Sequence, residues 1–175
     1  TVTDDMDTDL AATINSNDVN VNKVGHYHVY YNAVDSSGNN AVQVVRDVNV
    51  VDTTKPVIIL NGNSKQEALV HFPYVDAGAT ATDNLDGNLT SSIITSSNVN
   101  VDVLGVYHVT YDVNDSSGNA ATRVTRDVNV IDTEAPIITI LGSNPQTIVY
   151  GSSYVERGAT VIDNHDVGLS ATINS

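Results

Sequence analysis

The 175-residue chain contains no cysteine and no tryptophan, a single methionine (Met6) and a single phenylalanine (Phe72). There is therefore no disulfide framework, no thiol nucleophile and no thiolate metal site. Basic side chains are scarce: 7 Lys and Arg stand against 21 Asp and Glu, a formal net charge of −14 at pH 7. That excludes a nucleic-acid binder, whose affinity rests on cations neutralising phosphates. No apolar run approaches the ~20 residues that cross a bilayer as a helix, and membrane insertion is not expected. Glutamate is rare as well. Only Glu67, Glu134 and Glu156 accompany 18 aspartates, a ratio that disfavours helix and favours turns and oxygen-rich loops. Val, Thr, Ile and Tyr fill most of what remains, and they suit a pleated, half-buried surface. The composition predicts an all-β protein.

A self-comparison sets the organisation. Residues 25–51 align with 105–131 at an offset of 80, identical at 17 of 27 positions. The shared frame includes Gly25/Gly105, Tyr27-His28-Val29 against Tyr107-His108-Val109, Tyr31/Tyr111, Asp35-Ser36-Ser37-Gly38-Asn39 against Asp115-Ser116-Ser117-Gly118-Asn119, and Arg46-Asp47-Val48 against Arg126-Asp127-Val128. Asp52-Thr53 and Pro56 recur as Asp132-Thr133 and Pro136, and Gly78-Ala79-Thr80 with Asp83-Asn84 recurs as Gly158-Ala159-Thr160 with Asp163-Asn164. A fixed period of this length marks a modular array. Residues 52–131 read as one complete unit, 1–51 as the C-terminal part of a preceding one, and 132–175 as the N-terminal part of the next. The sequence reads either as a window on a longer tandem array or as a chain whose residues 132–175 complete residues 1–51 of the next copy, a swapped head-to-tail polymer. Either route gives a linear assembly.

Within the complete unit, strand and turn signals follow one another every 8–12 residues, the spacing of a sandwich. Strands are predicted at 57–60, 67–72 continuing the same edge, 77–82, 92–95, 98–103, 105–113 and 121–131. In 105–113, Tyr107, Val109, Tyr111 and Val113 share one face and His108, Thr110 and Asp112 the other. Arg46 and Arg126 fall on the inward parity of the last strand, among valines. A bulge that turns them outward is the expected solution; pairing with a buried carboxylate is the alternative.

Asp-Thr-x-x-Pro at 52–56, Gly-Ala-Thr-x-x-Asp-Asn at 78–84, Asp-Gly-Asn-Leu-Thr at 86–90, Gly-x-Tyr-x-Val-x-Tyr at 105–111 and the Asp115 to Asn119 turn together resemble the bacterial immunoglobulin-like domains related to hyalin repeats. Such domains occur in tandem in large secreted and surface proteins and are appended to some pesticidal crystal proteins. The resemblance covers the whole chain. It implies tandem immunoglobulin-like β-sandwich modules of about 80 residues serving adhesin stalks, matrix fibres or accessory modules, and it places Tyr27 and Tyr107 like a tyrosine-corner residue.

In that topology the start of the first strand and two loops meet at one pole, so Asp52, Asp83, Asn84, Asp86, Asn88, Asp115 and Asn119 are expected to converge. Their repeat partners are Asp4, Asp7 and Asp35 on one side and Asp132, Asp163 and Asp166 on the other. Two carboxylates ~4 Å apart repel by roughly 4 kcal/mol at an effective dielectric of 20. Lys and Arg are too few to offset this, whereas hard oxygen ligands in loops suit Ca²⁺. A calcium site at each module junction is the expectation. Asp, Asn, Ser and Gly are also turn formers in their own right, and Gly87 becomes Thr8 and Val167 in the other copies, so the loop is expected to vary in detail.

His26 and His28 share a strand face, but His26 becomes Val106 in the next unit, which favours plain surface histidines over a metal site. No Ser, His and Asp set is placed other than by the repeat, so an enzyme is not expected. A structural repeat segment of an extracellular filament or adhesin stalk remains, with neighbouring modules, copies of itself and cell-surface or matrix components as partners. A carbohydrate-binding accessory module is the alternative. Against it, Tyr27, Tyr31, Tyr107 and Tyr111 are assigned to the core, leaving Tyr30 as the outward aromatic candidate.

Overall fold

The computed structural model of the chain describes residues 1–172. Alternating apolar and polar residues produce strands throughout, and among the described residues the one helical turn is a 3-10 turn at Thr90–Ser92. The first three strands, β1 (Thr13–Asn17), β2 (Gly25–Asn32) and β3 (Val44–Val50), form an antiparallel sheet in that order. Then come β4 (Val57–Leu60), β5 (Lys65–Leu69), β6 (Ala79–Asp83), β7 (Gly87–Asn88), β8 (Ile94–Ser97), β9 (Gly105–Asp112) and β10 (Val124–Ile131). β5-β10-β9-β8 is a four-stranded sheet with β5 parallel to β10, and β4-β6-β7 is a second sheet. β11 (Ile137–Ile140) and β12 (Ala159–Ile162) pair antiparallel. This is the two-sheet β-sandwich of an immunoglobulin-like unit.

Backbone contacts gather into two compact units, each assembled from separate stretches. The first comprises Thr1–Val57, Ala81–Ser92 and Val113–Thr122, and the second Ile58–Thr80, Ile93–Asp112 and the residues from Arg123 onward. In the second unit the core is built by Ile58, Ala79, Ala68, Val70, Val109, Tyr111, Val128 and Val130, all buried. In the first, Val29, Ala33, Ala81 and Val113 are buried.

The β9 strand follows its predicted parity, with Val109, Tyr111 and Val113 buried. Two predicted strands do not form as expected. Residues 98–103 are not a strand: Asn98 Oδ1 accepts the His108 amide at 2.7 Å and Asn100 Oδ1 accepts the Asp102 amide at 3.0 Å. Asparagine side chains thus offer the backbone a local alternative to a ladder. The segment after β4 does not continue that edge but crosses to the other sheet as β5, and the Val70 amide extends its parallel pairing by donating to Ile131 O at 2.9 Å.

Arg126 departs most from the expectation. The β9–β10 register is unbroken across it, so no bulge turns it out, and its side chain is fully buried. The guanidinium pairs with Asp76. It also donates to Tyr111 Oη at 3.0 Å and to the carbonyls of Asn61, Gly78 and Asn63 at 2.6, 3.2 and 3.1 Å. Asn61 follows β4 and Gly78 precedes β6, so one side chain of the four-stranded sheet is bonded to the other sheet. Tyr111 and Tyr74 donate their hydroxyls to the same Asp76 carboxylate, and the Gly78 amide donates to it at 2.8 Å. Burial pushes the Asp76 carboxyl up, but the bonds from Tyr111, Gly78 and Arg126 outweigh it and hold it below the ordinary carboxylate range. Burial beside that anion pushes the Tyr111 and Tyr74 hydroxyls up.

Asp76→Asn keeps the shape of this network and removes its anion. An uncompensated buried guanidinium costs about 3 kcal/mol, expected as a lower urea midpoint at pH 7 with an unchanged slope. The folded carboxylate titrates below its unfolded value of about 3.9, so its contribution is present above that pH and fades as the pH falls through the folded value. Parent and variant should therefore converge in strong acid. Equal midpoints at pH 7 would show that the ion pair does not hold the sheets.

Candidate metal centre

Three carboxylates from separate stretches of the first unit come together. Asp52 lies two residues beyond β3, Asp83 ends β6, and Asp115 opens the turn after β9. One oxygen of each lies within 4.8 Å of the others, with Asp115 buried and Asp52 and Asp83 half-buried. Each aspartate arrives there because it closes its own turn. Asp52 Oδ1 accepts the Thr54 amide at 2.9 Å, and Asp83 Oδ1 accepts the amides of Leu85 and Asp86 at 2.8 and 3.1 Å. Asp115 accepts the Asn119 amide at 2.7 Å and its side-chain Nδ2 at 2.8 Å.

These local bonds leave oxygen atoms over. Asp52 Oδ2 and Asp83 Oδ2 are shut off from solvent and have no hydrogen-bond partner among the described residues. Buried acceptors of this kind are rare and call for an explanation such as a cation. No Lys or Arg of the described residues pairs with any of the three. Asn119 Nδ2 also donates to the Asp52 carbonyl at 3.2 Å, stitching the turn to the segment that follows β3. Burial raises the Asp115 carboxyl, while the bonds from the Asn119 side chain and from the amides of Asn119, Ser117 and Gly118 more than reverse this, so it ionises below the ordinary range.

The remaining predicted residues take other places. Asp86 accepts the Ser116 amide at 2.9 Å and its hydroxyl at 2.7 Å, pinning the Asp115 turn from outside the trio. Asn84 is exposed. Asn88 Oδ1 accepts the Thr90 amide at 2.9 Å. The first copy repeats the pattern: Asp4 Oδ1 accepts the amides of Met6 and Asp7 at 2.9 and 3.2 Å, and Asp7 accepts the Ser36 amide at 2.8 Å. Asp35 closes onto Asn39, whose side chain and amide pull its carboxyl down. In the third copy Asp132 accepts the Glu134 amide at 3.0 Å. Asp163 accepts the amides of His165 and Asp166 at 2.9 Å each, and Asp166 is exposed. The Asp turn thus recurs three times. The loops differ where Gly87, at φ 71°, is replaced by Thr8 and Val167, because positive φ is restricted for side chains with a Cβ.

The histidines of β2 are satisfied across the sheet, His26 by Asn49 at 2.5 Å and His28 by Asp47 at 3.4 Å. Tyr27 and Tyr107 donate to the carbonyls four residues earlier, Lys23 and Val103, at 2.7 and 2.9 Å, which ties each turn to its strand. Residue-by-residue reading missed the partner of Arg126. Its signal lay in the repeat, where Tyr74-x-Asp76-x-Gly78 returns as Tyr154-x-Glu156-x-Gly158.

Among the described residues no helix is long and apolar enough to cross a membrane. Known proteins resemble this chain at the level of its repeats. An uncharacterised 81.3 kDa protein of Acholeplasma phage L2 is 33% identical over 176 residues, which is 95% of this chain and 23% of that protein. Pesticidal crystal protein Cry22Aa of Bacillus thuringiensis is 31% identical over 126 residues, 69% of this chain and 17% of that one. Hyalin of Strongylocentrotus purpuratus is 33% identical over 138 residues, 75% of this chain and 12% of its own length. The chain spans less than a quarter of each of these relatives. The family described as bacterial surface protein, Ig-like domain, matches residues 1–50 and again 58–130. With both matches following the 80-residue repeat and covering more than half of its length, the chain belongs to that family of bacterial surface Ig-like domains.

Proposed function

We propose that this chain is a structural, non-catalytic repeat segment of an extracellular filament or adhesin stalk, stiffened by calcium at the seam between consecutive modules. The units are 1–51, 52–131 and 132–175 in linear array, and their partners are neighbouring modules, further copies, and cell-surface or matrix components. The observation that carries the reading is the Asp52, Asp83 and Asp115 trio with its two unpartnered buried oxygens. Oxygen donors from flexible turns match the preference of Ca²⁺ for hard ligands. Asp52 follows the last strand of the first copy, while Asp83 and Asp115 belong to loops of the second. A cation held by all three resists bending at that seam. Asn119 contributes by fixing the Asp115 turn against the Asp52 backbone.

The membership in a surface-protein family supports the extracellular setting. Short Asp-Thr-x-x-Pro connections support the rod, since Pro56 and Pro136 fix φ and bias the residue before them to extended conformations. Against a sugar-binding module, Tyr111 is fully buried and the Tyr27 and Tyr107 hydroxyls are engaged by backbone.

With a Kd of about 10⁻⁴ M, typical of extracellular modules, ~10 mM calcium is 100 Kd and contributes about 2.7 kcal/mol per site. The thermal midpoint should rise by roughly 10–20 °C over that in chelator, and an unchanged midpoint removes the calcium claim. Asp83→Asn should reverse sign between the two conditions: more stable than the parent in chelator, where a like charge has gone, and less stable in calcium, where a ligand has gone. Loss of stability in both would make Asp83 a turn former alone. Electron microscopy of native material should show unbranched filaments with a module-length axial repeat. Specific binding of the chain on a glycan array would replace this reading with the carbohydrate-binding one.

A further inference from the structure

Two histidine rings meet within the second compact unit, away from the carboxylate trio. His71 lies in the turn after β5 and His165 in the loop after β12, and their ring centroids are 5.8 Å apart with a tilt of 40°. His165 is half-buried, and the His71 side chain is 44% exposed. The repeat does not account for either. At the offset of 80, His71 faces Gly151 and His165 faces Leu85, while Asp102, the neighbour of His71, faces Asn22. Three departures from the repeat therefore come together in one place.

The backbone under His71 is unusual. The Phe72 amide donates to the Leu69 carbonyl at 3.2 Å, closing a four-residue turn whose third member is His71. Its φ is 63°, and among the described residues it is the one residue other than glycine with positive φ. Glycine is the ordinary occupant of such a position, and Gly151 takes it at φ 89° in the next copy. Histidine gives up that conformational ease and supplies a ring in exchange. The His71 amide donates to the Val101 carbonyl at 2.8 Å, which sets the ring beside Asp102 with Nδ1 3.3 Å from Oδ1. A carboxylate only accepts, so Nδ1 of the neutral ring carries the proton and Nε2 keeps its lone pair. His165 is positioned by its own loop, its amide donating to Asp163 Oδ1 at 2.9 Å.

We propose that His71 and His165 are the two protein ligands of a bound zinc ion, with Asp102 orienting the His71 ring and water completing the coordination. Imidazole nitrogen suits zinc and its d-block neighbours, whereas calcium takes oxygen, so this site differs from the carboxylate trio in both ligands and ion. The spacing fits. With a zinc–nitrogen bond of 2.0–2.1 Å the metal lies about 3.2 Å from each ring centroid, which puts the two centroids about 5.2 Å apart at a tetrahedral angle and up to about 6.4 Å apart as the angle opens. The contact from Asp102 to Nδ1 is the carboxylate–histidine arrangement that fixes the tautomer of a metal ligand and raises its basicity. A net charge of −14 draws cations to the surface as a whole. An ion held here ties the turn after β5 to the loop after β12, joining the complete copy to the next.

The test is calorimetric titration of the untagged 175-residue chain with zinc chloride, in calcium-containing buffer after removal of chelator. The parent should bind one zinc ion, and the imidazole carbon-bound proton signals of His71 and His165 should be the ones that shift. His71→Gly and His165→Leu install the residues that other copies hold at these positions, so the fold is retained, and each should weaken zinc binding by about 10-fold or more. Asp102→Asn should weaken it by about 10-fold with the zinc-free melting point unchanged; equal affinity removes the carboxylate from the site. His26→Val, the residue at 106 in the next copy, should bind zinc like the parent. A parent that takes up no zinc, a His71→Gly or His165→Leu variant that binds like the parent, or a loss of binding in His26→Val overturns the inference. Each of those outcomes leaves the calcium reading to its own melts, because no residue of the carboxylate trio is altered.

Discussion

A guanidinium cannot be taken out of water without an anion and a full set of acceptors, and the complete sandwich is arranged around that demand. Arg126 projects inward from the four-stranded sheet at a position where the strand parity dictates an apolar residue. Asp76 and the carbonyls of Asn61, Asn63 and Gly78 answer it from the edge of the other sheet. The same carboxylate is held by Tyr74, Tyr111 and Gly78, so the ends of β4 and β6, the inward face of β9 and the middle of β10 are fixed by one polar knot. The valines around it supply burial without direction. The knot supplies register, since sliding β10 by one residue would put the guanidinium in solvent and a valine's neighbour against the carbonyls.

The opposite electrostatic problem occupies the pole. There the like charges of Asp52, Asp83 and Asp115 are gathered by turn geometry, each aspartate having first capped its own backbone amides. The turns hold the carboxylates through their own backbone amides, which in the proposed calcium reading lowers the ordering cost of binding an ion. The arrangement costs stability when no cation is present. In the proposed calcium reading, it would give a chain with few lysines and arginines a means of joining successive modules through an ion rather than through apolar contact.

Repetition makes the two problems general. Asp4 and Asp163 form the turn that Asp83 forms, in spite of Thr8 and Val167 at the Gly87 position. Arg46 with Tyr31, and Glu156 with Tyr154, repeat the two sides of the knot. A module of this kind is therefore closed by complementary polar groups from its two sheets, guanidinium and tyrosine on one and carboxylate and tyrosine on the other.

The sequence by itself determined the all-β class, the 80-residue period, the β4 and β9 strands and the aspartates worth following, because these are written in alternation, offset identity and turn chemistry. It did not determine that residues 98–103 would leave the ladder, since asparagine side chains compete with strand pairing only once a neighbour's amide is in reach. Nor did inward parity say whether Arg126 would turn out at a bulge or stay; that depended on a carboxylate 50 residues away in sequence, brought near by the crossing of β5. For the candidate metal centre, residue type nominated a dozen acids and amides. Only tertiary structure brought Asp52, Asp83 and Asp115 together and turned Asp86 aside, because distance between loops is set by how the sheets pack, and local pattern carries no record of it.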